Sequence, residues 1–460
     1  MQIPSVETVV PIEILSHVLS FLEPQHLLSF GATSRIMYEL SCSSALWRQL
    51  CQQKWPTEFY NINEIQNDFG TEDDFFWKRH YIQKYLLTLQ STLSWTQISL
   101  SQSSLGSTKP SARYAHSGTV YDNKIVYIGG QMAQKSRFND FYFYDTTTGR
   151  FTQPKISGSP PNISKHTTME IDGTFYMFGG YDGISQRFEL SAFDPVKRMW
   201  YVPQTQGETP PSRSNHASAV VGKKMYIFGG LLQQDKELVD SNDMHVLDTT
   251  TMTWSAPQCT GTIPEPRCGH KMVTIDGKIY LFGGGNGDNW ANKFNDLHTF
   301  DPETNEWSKP TTIGDLVDAT TFASVWAVGR FLFVFGGGRI TYRGSVSNEV
   351  FAYDTVTRCW SKQSVDGKAP TERDDCTTNV VDDVVYMMHG YNSGPIDEFW
   401  SIKMCPMFYR SVHGREPMKS VIKESSTPVL TLSPSLRKMK RKICQLTMSP
   451  FQWRNSTHKS

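Results

Sequence analysis

The chain has 460 residues, of which 38% are hydrophobic, and its 45 basic and 45 acidic side chains leave a formal net charge of zero. These values are typical of an ordinary multidomain chain, and the N-terminal region has no apolar stretch that would indicate a signal peptide or a membrane span. The eight cysteines are scattered without a Cys-x-x-Cys pair, which favours a reducing compartment, so we expect a cytoplasmic or nuclear protein.

Residues 4–55 predict a small helical module. Pro11 suits the first position of a helix. The apolar residues after it recur at helical spacing: Ile14, Leu15, Val18, Leu19 and Leu22. Pro24 ends this helix, and a second one begins around Leu27 and Leu28. Because so short a module cannot bury a good core of its own, we expect it to dock on a partner.

This segment resembles the F-box. The resemblance rests on Pro11-Ile12-Glu13-Ile14-Leu15, on Leu22-Glu23-Pro24 and on Leu46-Trp47-Arg48-Gln49-Leu50-Cys51. Val10 departs from the family, which usually has leucine before the proline. The resemblance implies binding to a Skp-type adaptor and, through it, to a cullin ubiquitin ligase. It implies these adaptor-binding residues, each of which has a second interpretation as part of the module's own core: Pro11, Ile14, Leu15, Leu19, Leu22, Pro24, Leu27 and Leu28.

A helical linker is predicted over residues 56–91. Trp77, Tyr81 and Tyr85 succeed one another at i, i+4 and i+8, which places them on one helix face. Its apolar content indicates packing against a neighbour, and we hypothesise that the linker sets a fixed spacing between the helical module and the C-terminal part of the chain.

The most informative pattern is an apolar run that ends in a glycine doublet and recurs every 50 to 54 residues. The doublets begin at Gly129, Gly179, Gly229, Gly283 and Gly336, and His389-Gly390 takes the sixth place. Each unit contains a strand, a tight turn such as Asp172-Gly173, a second and wholly apolar strand, and a polar loop that often ends in Asn-Asp. A third strand then carries an apolar residue seven positions before an aromatic that opens a fourth strand, as in Phe300 and Trp307. Self-similarity of this length indicates repeat architecture, and four strands per unit are a β-propeller blade.

The glycine doublet with its downstream aromatic resembles the kelch repeat. Six units imply a six-bladed kelch β-propeller over residues 92–404, so the expected fold is a small helical module followed by an all-β domain. The sixth unit lacks a fourth strand after Glu398-Phe399-Trp400-Ser401-Ile402. Trp95-Thr96-Gln97-Ile98-Ser99 precedes the first unit without partners, and we expect it to complete the last blade.

Two columns of residues precede the doublets. Sixteen positions before the doublet stand Arg113, Arg213, Arg267 and Arg373, with Ile163 and Thr320 in the other two blades. Three positions later stand His116, His166, His216 and His270, with Ala323 and Cys376 in the other two. Equivalent positions surround the central channel, so the arginines would meet at one mouth, where arginines of some kelch adaptors hold acidic or phosphorylated segments. The alternative is a structural role within the repeat, which we favour for the histidines.

Loops after the doublets should border the same face. They carry these aromatic and basic residues: Arg137, Tyr181, Trp290, Arg339, Tyr342, Arg343 and Tyr391. Of these, Trp290 and Arg343 join the four arginines as predicted substrate-binding residues, because tryptophan and arginine dominate binding hot spots. The alternative for Trp290 is that it folds back against its own blade.

These patterns favour a substrate-recognition subunit of a Skp-cullin-F-box type ubiquitin ligase, with an acidic or phosphorylated protein as target. Some propellers similar to kelch are metal-dependent enzymes, but the clustered ligands that such enzymes need do not stand out here. We therefore expect no catalytic residue, metal or cofactor, and neither a membrane nor nucleic acid as partner. The alternative is a cytoskeletal or nuclear kelch scaffold without a ligase role.

Residues 405–460 form a basic tail that we expect to be disordered. From Lys403 onward the sequence has 12 Lys and Arg but only two acidic residues, Glu416 and Glu424. The basic run at residues 437–442 is interpreted as a nuclear localisation signal, as a contact to an acidic partner, or as a solvated tail.

Overall fold

The computed structural model describes residues 46–50, 92–99, 109–133, 136–234, 237–339 and 346–404. Residues 46–50 are helical, and Leu46, Trp47 and Leu50 are buried. Among these described residues, no helix has the length and apolar character needed to cross a membrane. The rest of the helical module, the linker at 56–91 and the tail at 405–460 lie outside the described residues.

The described residues from 92 onward form six blades of antiparallel strands, as predicted. The innermost strands are Ser117–Tyr121, Thr167–Ile171, Ala217–Val221, Lys271–Ile275, Ser324–Val328 and Thr377–Val381. The second strands are Lys124–Ile128, Thr174–Phe178, Lys224–Gln234, Lys278–Phe282, Phe331–Phe335 and Val384–Met388. The turn between them begins with a residue of positive φ in every blade, from 49° at Asp276 to 59° at Gly222. Asp and Gly are favoured there because they tolerate this conformation.

The outer half of each blade pairs an apolar residue with an aromatic one. The third strands are Phe141–Asp145, Leu190–Asp194, Glu237–Asp248, Leu297–Asp301, Val350–Asp354 and Phe399–Lys403. The fourth strands of blades one to five are Arg150–Thr152, Met199–Tyr201, Thr253–Ser255, Glu306–Ser308 and Cys359–Lys362. Phe300 lies directly opposite Trp307, which confirms the predicted pairing across the strands.

The last blade takes its fourth strand from the other end of the repeat region. Thr92–Gln97 runs antiparallel to Phe399–Lys403, and Trp95 lies opposite Ile402. The prediction that residues 95–99 complete this blade is therefore confirmed, and Trp95 fills the place that Trp307 has in blade four.

Short straps, which the sequence patterns did not reveal, close the outer edges of blades three to six. Each strap leaves one blade and pairs in parallel with the fourth strand of the next. The straps are Gln206–Gly207, Thr260–Gly261, Ile313–Gly314 and Ser364–Asp366. A Cβ atom on Gly261, whose φ is +76°, would lie 2.1 Å from the carbonyl oxygen of Trp307, so only glycine fits. Covered edges protect the blades from pairing with other chains.

The loops after the doublets form smaller two-stranded pieces on one face. They pair Gln131–Ala133 with Ser136–Arg137, Gly285–Asn286 with Asn292–Lys293, and Thr320–Thr321 with Gly338–Arg339, and Arg213–Ser214 adds to the long hairpin of blade three. A short 3₁₀ turn, Asp288–Trp290, lies within one of these loops.

The hydrophobic core of the described residues consists of six clusters, each between two neighbouring blades. The residue immediately before a glycine doublet packs on the tryptophan of the next blade: the ring centroids of Phe228 and Trp307 are 4.9 Å apart, and those of Phe282 and Trp360 are 5.2 Å apart. Burial of one such side chain stabilises the fold by about 2 kcal/mol. Each blade is therefore stable only between its neighbours, which is why the ring must close.

Candidate functional site

The four arginines of the first column lie inside the blades. Arg213 has no exposed surface, and its Nη1 and Nη2 donate to the Asp243 carboxylate at 2.6 and 2.8 Å. Its Nη1 also donates to the Gly229 carbonyl at 3.1 Å, and its Nε donates to the Pro211 carbonyl at 3.1 Å. The other three arginines are equally buried. Arg113 and Arg267 pair through both Nη atoms with Asp140 and Asp296. Arg373 pairs with Glu398 through Nη2.

This placement contradicts the prediction that Arg113, Arg213, Arg267 and Arg373 hold an acidic target segment. Their guanidinium groups are fully buried and already donate to a carboxylate and to backbone carbonyls of their own blades. The physical reason is that a buried arginine needs an internal anion, and each blade supplies one. The four arginines are framework residues. Each connects the segment before its blade's first strand to the loop before the third strand.

The acidic partners are the residues that end the Asn-Asp loops, which the sequence indicated only as loop endings. Where the arginine is replaced by Ile163 in blade two, Glu189 pairs with Arg187 at 2.8 Å instead. Burial by itself would raise the pKa of Asp243, but hydrogen bonds from His245 and Arg213 outweigh it and hold the pKa well below its ordinary value. The signal that could have revealed these pairs is that the arginine and the acidic residue occur together in the same four blades.

The second column connects neighbouring blades, in agreement with the structural role favoured for it. The Nε2 atom of His166 lies 2.8 Å from the Ser117 hydroxyl of the preceding blade. His216 and His116 make the same contact, at 2.9 Å, with Thr167 and Thr377. Burial lowers the pKa of His166 to about 3, so this imidazole is neutral at physiological pH.

A closed ring of backbone hydrogen bonds surrounds the channel between these two columns. Its six members, one from each blade, all have positive φ: Ala115, Lys165, Asn215, Gly269, Phe322 and Asp375. Each N–H donates to the carbonyl of the ring member in the preceding blade, over distances of 2.8 to 3.3 Å, and Ala115 closes the ring on Asp375. We call this set the channel ring. The sequence patterns did not reveal it, although Asn, Gly and Asp are the residues that favour this conformation.

The residue before each ring member is bridged to a loop that comes after a doublet. Tyr114 exchanges backbone hydrogen bonds with Gln131, and Asp374 does the same with Tyr391, over 2.9 to 3.0 Å. These bridges put the loops after the doublets on the same face as the channel ring. This face is the channel mouth.

The channel mouth carries opposite charges on different blades. Blade six contributes the adjacent carboxylates of Asp374 and Asp375, both partly exposed. Lys165 of blade two and Lys271 of blade four are also partly exposed. Burial, and then the charge of Asp375, raises the pKa of Asp374, while Lys293 opposes this shift. Burial also raises the pKa of Asp375, against the effect of Lys271 and Lys165.

Aromatic side chains stand beside these charges. The rings of Tyr114 and Tyr391 are 4.7 Å apart between their centroids. The Tyr181 ring lies under the Arg137 guanidinium at 4.6 Å and under the Lys165 ammonium at 5.9 Å. Aromatic faces attract positive groups, and the Tyr181 ring already meets two positive groups of this chain.

Trp290 is held by its surroundings rather than projecting freely. Its indole Nε1 donates to the Cys268 sulfur at 3.0 Å, and its ring meets that of Phe322 edge-on at 5.1 Å. It remains partly exposed at the channel mouth, and its contact with a target stays a prediction. Arg343, the other loop residue of the predicted site, lies outside the described residues, as do all eight predicted adaptor-binding residues.

Within the described part of the chain, no group of three or more His, Cys, Asp or Glu side chains is arranged to hold a metal ion. The described cysteines Cys259, Cys268, Cys359 and Cys376 are free thiols. Burial, followed by the charge of Asp240, raises the pKa of Cys268, so this thiol is protonated at neutral pH.

Comparison with known protein families finds two matches that together span most of the chain. Residues 78–230 and 215–426 match the KLHDC2/KLHL20/DRC7 Kelch-repeats domain. Residues 8–53 match the F-box-like family. The two matches stand in the order that the sequence predicts.

Curated relatives share the repeat region. The chain is 27% identical over 371 residues to Kelch domain-containing protein 3 of Homo sapiens, which covers 74% of this chain and 88% of that protein. It is 29% identical over 303 residues to Acyl-CoA-binding domain-containing protein 4 of Arabidopsis thaliana, which covers 62% of this chain and 44% of that protein. It is also 33% identical over 192 residues to the Rab9 effector protein with kelch motifs of Bos taurus, covering 39% of this chain and 51% of that protein. The chain thus spans about half the length of several of these relatives.

Proposed function

Since this chain belongs to the kelch-repeat family and has an F-box-like domain at its N-terminus, we propose that it is the substrate-recognition subunit of a Skp-cullin-F-box type ubiquitin ligase. The observation that carries the proposal is the presence of both domains in one chain. The F-box-like segment would bind the adaptor, and the propeller would bind the target protein.

The adaptor contact is proposed for the apolar residues of the module. A module of this size leaves apolar surface uncovered, which a partner helix can bury. The residues proposed for this contact are Pro11, Ile14, Leu15, Leu19, Leu22, Pro24, Leu27 and Leu28.

The target contact is proposed for the channel mouth. The propeller's rigid frame ends there in loops that differ from blade to blade, and loops on a rigid scaffold are where binding residues concentrate. The proposal assigns no bond-making step to this chain, because catalysis would come from the partners of the ligase.

Co-purification from cells tests the proposal. The tagged native chain should recover a Skp-type adaptor and a cullin, and a chain with both Leu15→Asp and Leu19→Asp should recover neither. The control is Ile184→Asp, since Ile184 is 91% exposed on the propeller and an added carboxylate there should not disturb the module. If the native chain recovers no adaptor, the ligase proposal fails and a kelch scaffold becomes the better account.

A further inference from the structure

The channel ring is built from equivalent positions whose side chains differ in charge. Two of its members are charged, Asp375 in blade six and Lys165 in blade two. Blade six also has Asp374 immediately before its ring member, where the other blades have Tyr, Ser, Ser, Cys and Thr. Repeated structure does not require this difference, since the backbone ring closes with alanine and glycine as well.

The two carboxylates of blade six have no ion-pair partner among the described residues. The ammonium of Lys293 donates to the Gly338 carbonyl at 3.2 Å, and its charge acts on Asp374. Asp374 and Asp375 therefore place two adjacent acids at the channel mouth, beside the paired rings of Tyr114 and Tyr391. Carboxylates next to aromatic faces form a favourable environment for a cation.

The positive side of the channel mouth has a separate structural origin. Lys271 occupies the position that carries Ser, Thr or Ala in the other five blades, where a hydroxyl can bind the histidine or cysteine of the next blade. At the position of that histidine or cysteine the next blade has Ala323, whose side chain offers no hydrogen-bond partner. In the described residues the Lys271 ammonium forms no ion pair, yet its charge acts on His116, His216 and Asp375. These groups belong to blades one, three and six, and Lys271 itself is the first residue of the innermost strand of blade four.

We infer that the channel mouth recognises a segment of the target protein in which a basic and an acidic side chain stand close together. The basic group binds Asp374 and Asp375 beside Tyr114 and Tyr391, and the acidic group binds Lys165 and Lys271. This inference rests on the proposed function and specifies its target class.

A target segment with both charges fits the channel mouth better than a segment with one charge. A purely acidic segment would meet the carboxylates of blade six, and a purely basic one would meet the ammonium groups of Lys165 and Lys271. Charges in a partly buried mouth interact more strongly than they do in water, so either mismatch is penalised. Asn215 adds a donor on the positive side: the residue is 8% exposed, and its Nδ2 has no hydrogen-bond partner within the described residues although Asn215 belongs to the same ring.

Selection from a displayed library of random 12-residue peptides tests the inference on the full chain. The native protein should enrich peptides that contain both a basic and an acidic residue. The variant Asp374→Asn with Asp375→Asn should lose the preference for the basic residue alone. The variant Lys165→Gln with Lys271→Gln should lose the preference for the acidic residue alone.

The matched control removes one acid and one base elsewhere. Asp172 and Lys223 form an exposed ion pair, 2.7 Å between Oδ2 and Nζ, that belongs to the turns between first and second strands. Asp172→Asn with Lys223→Gln should leave the enriched peptides unchanged. Enrichment of peptides with a single charge type by the native chain, no enrichment at all, or peptide sets that the mouth variants do not alter would each overturn the inference.

Two further measurements keep the outcomes distinct. Adaptor co-purification is independent of the channel mouth, so its loss would contradict the proposed function and not the inference about the target. Thermal unfolding separates recognition from a purely internal charge network. We expect the Asp374→Asn, Asp375→Asn variant to unfold at a temperature no lower than the native chain, whereas an internal network would make it unfold at a lower temperature.

Discussion

At the scale of single residues, Arg213 shows how a repeated charged residue is used inside this fold. Its guanidinium is fully buried and paired with Asp243, and the two residues are 30 positions apart in the chain. Removal of one partner of such a pair leaves an uncompensated charge in a poorly hydrated place, and this is more harmful than removal of both.

Arg213→Met should therefore lower the free energy of unfolding by about 3 kcal/mol. Urea unfolding of the full chain would measure it. Arg187→Met is the matched control, because that side chain is 39% exposed and its ion pairs contribute about 1 kcal/mol or less. Equal and small effects of the two substitutions would contradict the assignment of Arg213 to the framework. The double variant with Asp243→Leu should recover part of the loss.

Stability should also fall in mild acid because of the buried histidines. In the folded protein the pKa of His166 is about 3, and burial in the same way lowers that of His270 to about 3. In the unfolded chain both are near the ordinary value of about 6.5. Between these pKa values the unfolded chain binds more protons than the folded chain. The contribution of these histidines to the free energy of unfolding is therefore complete above about pH 6.5 and is lost as the pH falls toward 3.

Unfolding curves recorded from pH 7.5 to pH 4.5 would show this decline. His166→Gln, which can still form a hydrogen bond but does not titrate, should decline less steeply than the native chain. A native chain whose stability stays constant over this range would contradict the buried, neutral state of these side chains.

The sequence alone predicted the arginine column but not its role. The column is visible because it repeats in register, but the direction of a side chain depends on a partner 25 to 30 residues away. Each partner acid is visible too, at the end of the loop before a third strand. Only the folded structure shows that the arginines and these acids meet.

At the scale of elements, side-chain contacts connect neighbouring first strands at four of the six interfaces between blades. His166, His216 and His116 each bind a hydroxyl of the preceding blade, and Cys376 meets the Ser324 hydroxyl at 3.1 Å. His270 faces the equivalent position, Ala217, which has no hydroxyl, and neither buried ring nitrogen of His270 forms a hydrogen bond of good geometry within the described residues.

Ala217→Ser should supply the missing contact between blades three and four. We expect it to raise the free energy of unfolding by about 1 kcal/mol, the usual net contribution of a hydrogen bond. Ala219→Ser is the matched control, since Ala219 is also buried on the same strand but belongs to no such contact. Its hydroxyl should be unsatisfied and lower the stability. Denaturant unfolding of both variants decides the matter, and a loss of stability in Ala217→Ser as large as in Ala219→Ser would contradict the account.

The straps should be sensitive to a single methyl group. Gly261 and Gly277 have almost the same φ, +76° and +75°, but a Cβ at Gly277 meets nothing within 4 Å whereas one at Gly261 meets the Trp307 carbonyl oxygen. Gly277→Ala should lower stability by about 1 kcal/mol, from backbone strain alone. Gly261→Ala should lower it clearly more, because the strap must also move away from Trp307. Similar effects in thermal unfolding would show that the strap does not press on the fourth strand.

The sequence reveals the four strands of a blade better than it reveals the straps. The aromatic of the fourth strand and its partner in the third recur at a spacing of seven, so Phe300 and Trp307 could be paired without a structure. A strap such as Thr260–Gly261 has two residues, which is too short for any periodicity, and its glycine resembles an ordinary loop residue.

At the scale of the whole molecule, the described propeller is a ring in which every blade depends on two neighbours. Closure was predictable because one unit lacked a fourth strand and one strand lacked a unit, and Trp95 now lies opposite Ile402. The charge pattern at the channel mouth was not predictable in the same way. The channel ring arises from backbone conformation. Asp375 and Lys165 can be assigned to one site only when the fold has placed equivalent positions around one axis.

The central claim is that this ring is attached to a ubiquitin ligase through the N-terminal module. Light scattering on a purified mixture of the full chain and a Skp-type adaptor tests it most directly. The account predicts a stable complex with one copy of each for the native chain, and two separate species for the Leu15→Asp, Leu19→Asp variant, whose propeller should unfold at the native temperature. A native chain that stays separate from the adaptor would contradict the claim.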